Sequence, residues 1–249
     1  PAPAILTVMR IIAHRGAPAL GRIENSVPAI SAALLGAAHG VEVDLRRTAD
    51  GVFAVCHDLG LLRLAGRDLR VATTPWPVLR AAAASSGVPL ARLEEVLAVA
   101  ADRPVVLELK PDQPGAGTAL VERLTQLEAL GLTFSVTISS FDPAMLSEVR
   151  GAAGRQLRTA LLGRPGCLAL ATARLALADG HQEVHPHVSD LLADPDVARE
   201  ATSSGLDVVP WTVNSSRMIR RCAELGCAAV ITDLPRKAQV ALAARTLAA

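Results

Sequence analysis

Aromatic side chains are nearly missing from this chain. They make up 2% of its 249 residues, and there is no tyrosine at all. Surfaces that stack nucleic-acid bases need aromatic platforms, so no nucleic-acid partner is expected. Charge of one sign is missing too: 25 Lys and Arg stand against 24 Asp and Glu, for a net charge of +1. Nothing here attracts DNA or an anionic lipid surface strongly, and no stable membrane association is expected. Cysteine is scarce. Cys56, Cys167, Cys222 and Cys227 form no C-x-x-C pair, and four are few for a disulfide framework in a chain this long. They are read as small buried hydrophobes. No apolar run approaches the roughly 20 residues of a membrane span; the nearest, Leu168 to Ala178, is interrupted by Arg174. Pro1 to Arg10 lacks the basic head and long apolar run of a signal peptide. The expectation is a cytoplasmic protein, monomer or homodimer.

Two motifs are absent as well. No G-x-G-x-x-G follows the first apolar run, which argues against a doubly wound dinucleotide fold. No G-x-S-x-G nucleophile elbow occurs anywhere. What the chain does have is material for a core, with 51% hydrophobic residues, and a regular alternation. Short Val/Ile-rich runs alternate with Ala/Leu-rich segments of helical period. The runs are Arg10–Ala13, Val41–Leu45, Pro104–Leu109, Phe134–Ser139, Arg158–Leu162, Glu183–His185, Val208–Thr212 and Ala229–Thr232. Helices are predicted over 26–38, with Gly40 closing the first, and over 118–130, 143–150, 167–178, 194–203, 215–225 and 235–248. Asp50-Gly51 marks a hairpin returning through Val52–Val55. Gly60–Thr74 reads as an irregular loop over the active face, followed by helices at 75–86 and 92–101. Eight strand–helix units imply a parallel sheet that closes on itself. The predicted fold is α/β, a (β/α)8 TIM barrel, in one domain spanning 1–249.

The chemistry-bearing residues fall at strand ends. His14-Arg15-Gly16, Glu42-Val43-Asp44, His57-Asp58 and Glu108-Leu109-Lys110 each close an apolar run. In a closed barrel those ends converge on one face, where such folds place their active sites. Glu42 and Asp44 are two apart on a strand, so both side chains share a face. Carboxylates pointing into one site repel unless a cation lies between them. With Glu108 they make a hard oxygen site suited to Mg²⁺ or Ca²⁺, with Mn²⁺ also possible. Pairing of each acid with Arg46, Arg47 or Lys110 is the alternative. His14 and His57 are the acid/base pair, since imidazole titrates near neutral pH. Arg15 puts a guanidinium suited to phosphate beside the first ring. Asp58 either orients His57 or holds its turn. His185-Pro186-His187 is a possible accessory metal pair, with a structural loop role preferred. Ser139 and Ser140 are read as pocket lining.

The ordered set of motifs resembles the glycerophosphodiester phosphodiesterase family. His14-Arg15-Gly16, Glu24-Asn25-Ser26, Glu42-Val43-Asp44-Leu45, Thr48-Ala49-Asp50-Gly51, His57-Asp58, Leu107-Glu108-Leu109-Lys110, Ser140-Phe141, Trp211-Thr212-Val213-Asn214 and Thr232-Asp233-Leu234-Pro235 carry the resemblance. It spans residues 10 to about 236. It implies a metal-dependent barrel enzyme hydrolysing glycerophosphodiesters to glycerol 3-phosphate and an alcohol. It further implies His14 and His57 as general acid and base, Glu42, Asp44 and Glu108 as metal ligands, Arg15 and Lys110 on phosphate, and Phe141 and Trp211 lining the substrate pocket. Glu24 and Asn25 lie near the site in the same comparison. Ile23 stands where many relatives have proline, and the segment after His57 is shorter than in some. A phospholipase-type phosphodiesterase on a related barrel, or a non-catalytic barrel binding a phosphate ligand, are the competing readings. The second would be expected to have lost a histidine or an acid, and all five are present.

Overall fold

The computed structural model describes residues 9–18, 21–111, 113–153 and 156–246. Most of the N-terminal segment read for a leader therefore lies outside the described residues, as does the end of the last predicted helix. The eight parallel strands are β1 (Arg10–His14), β2 (Gly40–Arg47), β5 (Pro104–Leu109), β6 (Ser135–Ser140), β7 (Arg158–Leu162), β8 (Glu183–His185), β9 (Asp207–Val208) and β10 (Ala229–Thr232). They run in the order β10-β1-β2-β5-β6-β7-β8-β9. No strand ladder joins β9 to β10 among the described residues. Three backbone bonds run between their segments instead: Ala228 N–H to Val208 O at 3.0 Å, Ile231 N–H to Pro210 O at 3.0 Å, and Val213 N–H to Ile231 O at 2.9 Å. The predicted strand 208–212 is thus only two residues long. Its continuation holds Pro210, which cannot donate to a ladder.

Period-two alternation sorts each strand. Ile11, Ala13, Val41, Val43, Leu45, Leu107 and Leu109 pack outward against the helices, in one core with Ile30, Ala33 and Leu97. Each such fully buried aliphatic side chain is worth roughly 1.5–3 kcal/mol of transfer free energy. Ile12, Val106, Val209, Ala229 and Ile231 meet inside the barrel. The next inward positions toward the carboxyl ends are His14, Glu42, Asp44, Glu108 and Ser139. Register keeps them level: His14 pairs with Glu42, Asp44 with Glu108, and Glu108 with Ser139.

Helix α1 (Val27–Leu35) starts where Ser26 accepts a hydrogen bond from Ala29 N–H, the capping role expected of serine. It ends at Gly36, not Gly40. Gly40 opens β2, and a Cβ there would lie 2.3 Å from Pro104 O, so its role is close approach of two strands. The helices that follow β5 are α5 (Ala116–Ala129), α6 (Pro143–Ala153), α7 (Ala169–Ala178), α8 (Val188–Ala193), α9 (Asp196–Ser203), α10 (Ser216–Glu224) and α11 (Pro235–Thr246).

The excursion between β2 and β5 is more ordered than the sequence suggests. β3 (Phe53–Val55) runs antiparallel to β2, as the hairpin reading expects. Arg92, predicted helical, belongs to β4 (Ala91–Arg92), which pairs with β3 before α4 (Leu93–Ala100) begins. Gly60–Thr74 is folded, holding α2 (Leu62–Ala65) and a single 3₁₀ turn at Val71–Thr73. With α3 (Trp76–Ser85) it buries Cys56, Leu61, Val71, Trp76 and Leu79 in a separate cluster. The polar residues of that stretch hid its three or four apolar anchors. Cys222 and Cys227 are buried as expected, but Cys167 is exposed.

Candidate functional site

The carboxyl ends of the strands surround a cavity of about 110 Å³. Of the nine residues given a catalytic, metal or substrate role by the family resemblance, all but Asp44 line it: His14, Arg15, Glu42, His57, Glu108, Lys110, Phe141 and Trp211. Asp44 is fully buried and tied to the lining by salt bridges to Lys110 Nζ at 2.7 Å and Arg15 Nε at 3.2 Å.

The loop after β1 is shaped to deliver Arg15. Arg15, Ala17 and Asn25 all have positive φ, a conformation non-glycine residues adopt at some cost. Gly16 shares it and could not be replaced freely, because a Cβ would sit 2.8 Å from Ile30 N. The loop is fixed by Arg15 N–H to Glu42 Oε2 at 3.0 Å and Asn25 N–H to Arg15 O at 2.9 Å. Asn25 also clasps Asp44, donating Nδ2–H to Oδ2 at 2.7 Å and accepting its backbone N–H at 3.1 Å. The clasp holds Oδ2 of Asp44, while Oδ1 meets Lys110.

Glu42, Asp44 and Glu108 each offer an oxygen within 4.8 Å of the others. Their electrostatics are those of crowded acids. Burial, then repulsion from Asp44, pushes Glu42 up to about 8. Glu108 is raised for the same two reasons. Asp44 goes the other way: burial opposes its charge, but Lys110 and Arg15 outweigh that and hold it at about 2. Lys110 also bonds Glu108. Glu42 Oε1 is buried with no hydrogen-bond partner among the described residues. A bare buried carboxylate oxygen beside two more acids is costly unless it is protonated or bound to a cation. The donor set therefore fits a hard divalent ion coordinated by oxygen.

The two histidines are held alike. His14 Nδ1 meets Asp233 Oδ1 at 2.7 Å, and His57 Nδ1 meets Asp58 Oδ1 at 2.8 Å. Asp58 therefore orients the ring. An aspartate on Nδ1 puts the proton there and leaves Nε2 for other chemistry. Burial disfavours a charged His14, but the Asp233 hydrogen bond and Glu42 outweigh it and raise this ring's pKa. Its Nε2 lies 4.0 Å from Glu42. Asp233 is itself braced, accepting from Asn214 Nδ2–H at 2.7 Å while Asn214 Oδ1 accepts Asp233 N–H at 2.9 Å. Sequence reasoning gave Asp233 and Asn214 no role, although Asp233 directly follows a strand as the chosen residues do. Arg63 was missed for a better reason: it lies in the stretch read as loop. It donates to Asp58 Oδ2 and to Glu24 Oε1, which also meets Arg15 at 3.3 Å.

The opposite wall is apolar and aromatic. Phe141 and Trp211 meet edge to face at 5.4 Å, and His187 packs on Trp211 at 5.2 Å. His185 and His187 do not form a metal pair. His187 Nδ1 bonds Ser189 Oγ, whereas His185 is fully buried and bonds Glu183. Nor is His185 a loop residue, since it ends β8. Ser139 lines the cavity as expected, but Ser140 Oγ is turned to Leu109 O and links β6 to β5.

Residues 14–237 match the model of the glycerophosphoryl diester phosphodiesterase family. A Mycobacterium tuberculosis protein described as glycerophosphodiester phosphodiesterase 1 is 29% identical, over 90% of this chain and 89% of its own. A structure described as a glycerophosphoryl diester phosphodiesterase of Silicibacter pomeroyi superposes with a TM-score of 0.83 at 26% identity, covering 96% and 95% of the two chains. An Oleispira antarctica phosphodiesterase, solved with the product sn-glycerol-3-phosphate, shares the fold at a TM-score of 0.78 and 22% identity, covering 95% and 97%.

Proposed function

Because this chain belongs to the glycerophosphoryl diester phosphodiesterase family, we propose that its cavity hydrolyses glycerophosphodiesters to glycerol 3-phosphate and an alcohol, with His14 and His57 as the acid/base pair. One observation carries the reading. Each histidine has an aspartate on Nδ1, and both line one small cavity with two of three clustered carboxylates, an arginine and a lysine. That is the inventory for moving two protons around a phosphoryl group.

Glu42, Asp44 and Glu108 would hold the cation, Mg²⁺ or Ca²⁺, with Mn²⁺ as an alternative. When bound it would supply positive charge against the developing negative charge of the transition state. Arg15 and Lys110 add to the same field at the equatorial oxygens, usually a dominant contribution in such transfers. One histidine takes the proton of the glycerol 2-hydroxyl as that oxygen forms its bond to phosphorus. The bond from phosphorus to the leaving oxygen breaks, and the second histidine gives that oxygen a proton. Water then opens the cyclic phosphate with the roles exchanged, restoring both rings and releasing glycerol 3-phosphate. The substrate supplies the nucleophile because the cavity offers no activated one: Ser139 Oγ has no base within hydrogen-bond distance among the described residues. Attack within one molecule brings a large entropic advantage. Phe141 and Trp211 form the wall for the leaving group. We place the protein in the cytoplasm, on the strength of four unpaired cysteines.

A 2-deoxy glycerophosphodiester tests the route. It is expected to bind competitively and to react orders of magnitude more slowly, while EDTA abolishes turnover of the natural diester. Comparable turnover of the analogue would overturn attack by the substrate hydroxyl. Full activity in excess EDTA would overturn the cation.

A further inference from the structure

Glu183 and His185 form a second ionisable pair, separate from the acid/base residues and reaching into the barrel. Both side chains are on the inward face of β8. His185 Nε2 lies 2.9 Å from Glu183 Oε2. The other oxygen of Glu183 accepts from Thr137 Oγ1 at 2.9 Å and Arg158 Nε at 3.1 Å. The carboxylate is thus saturated from below, and its ionised form is favoured: burial opposes the charge, but His185 and Arg158 hold the carboxyl at about 2. An ionised Glu183 accepts the Nε2 proton. With Nε2 held on Glu183, the ring's other nitrogen, Nδ1, is the one left to meet a ligand.

That nitrogen has no partner among the described residues and is buried. So is Ser139 Oγ, on β6. Both residues line the cavity that holds His14 and His57. Buried polar atoms in native proteins are nearly always satisfied, and leaving one bare costs roughly 1–3 kcal/mol. Here one orphan is a ring nitrogen and the other a hydroxyl oxygen. A ligand hydroxyl, which can both donate and accept, would satisfy both. Leu162, beside His185 in register at the end of β7, lines the cavity next to them.

We propose that Ser139 and His185 form a hydroxyl-binding subsite in the cavity that holds the histidine pair, which takes the free primary hydroxyl of the substrate's glycerol unit. The proposal rests on the glycerophosphodiester reading above and adds to it how the glycerol end is selected. Glu183, Thr137 and Arg158 are positioning residues, fixing the ring without touching substrate. A site built to pair a hydroxyl rejects the analogue lacking it, because its own groups are then left bare.

The test compares glycerophosphoethanolamine with its 1-deoxy analogue, in which a methyl replaces the primary hydroxymethyl group. Wild-type protein is expected to prefer the natural diester by at least about tenfold in kcat/KM, and Ser139→Ala and His185→Gln to bring that ratio close to unity. A parallel arm measures binding of glycerol 3-phosphate against 1,2-propanediol 1-phosphate by calorimetry, which needs no turnover. A ratio unchanged in folded Ser139→Ala, in both arms, overturns the subsite and is the result expected if a resident water satisfies the two atoms. If His185→Gln fails to fold, Ser139→Ala decides alone. If wild type turns over neither diester, the functional reading fails, and the binding arm still judges the subsite.

Discussion

Arg63 and Asp58 are joined beside His57, with guanidinium Nε donating to carboxylate Oδ2 at 2.5 Å. The other oxygen of Asp58 holds His57, and the far side of Arg63 reaches Glu24. A residue on a short helix outside the barrel therefore aligns one of the two imidazoles. Arg63→Ala is expected to lower kcat by about tenfold to a hundredfold, the range for a misaligned reacting group, with KM little changed. An equal loss in both parameters, or none, would show that His57 is oriented without it.

Asp233 plays the same part for His14. Asp233→Asn keeps the shape but no longer favours the proton on Nδ1. We expect kcat to fall toward the roughly 10²–10⁴-fold loss of His14→Ala itself, the usual worth of a general acid or base. His187→Ala should lose far less. Steady-state kinetics on folded variants decides; a larger loss from His187 than from His14 would overturn the assignment.

Cation binding should release a proton. Burial and Asp44 push Glu42 up to about 8, so the cation-free site is expected to hold a proton at neutral pH. Binding needs the anion. Calorimetry of Mn²⁺ binding in buffers of different ionisation enthalpy should show nearly one proton released at pH 7, falling toward none above about pH 9. Affinity should rise over that interval. An enthalpy independent of buffer would contradict the picture.

Glu183 sets part of the acid stability. Its folded carboxyl is held at about 2, below the ordinary 4.5. A depressed acid stabilises the fold above its unfolded value, and that stability is lost as pH falls from 4.5 toward 2. The amount is on the order of 3 kcal/mol. Denaturant unfolding of Glu183→Gln should show lower stability at pH 7 and a flatter decline between pH 4.5 and 2. A parallel decline in both proteins would place the acid sensitivity elsewhere.

The barrel was legible because its signals are local. Alternation in Gly40–Arg47 and Pro104–Leu109 separates inward acids from outward Val and Leu, and the ends of those strands name Glu42, Asp44, Glu108 and Lys110. What stayed hidden depends on distant partners. Asp233 matters through a ring 219 positions earlier, and Asn25 through a carboxylate 19 positions later. Gly60–Thr74 read as loop because Leu61 and Val71 find their neighbours on a helix of the same excursion, which no periodicity within the stretch reveals. Ser139 and His185 look like pocket lining and loop until the structure shows which of their atoms lack partners.

The excursion that carries His57, Asp58 and Arg63 has a hydrophobic cluster of its own, centred on Leu61, Val71 and Leu79. His14 and the three acids stand on strands anchored in the main core. Half of the proton-transfer machinery thus leans on an annex with a core of its own, and small cooperative units unfold at lower free energy than the whole. Loss of activity on heating would then come before the melting of the barrel.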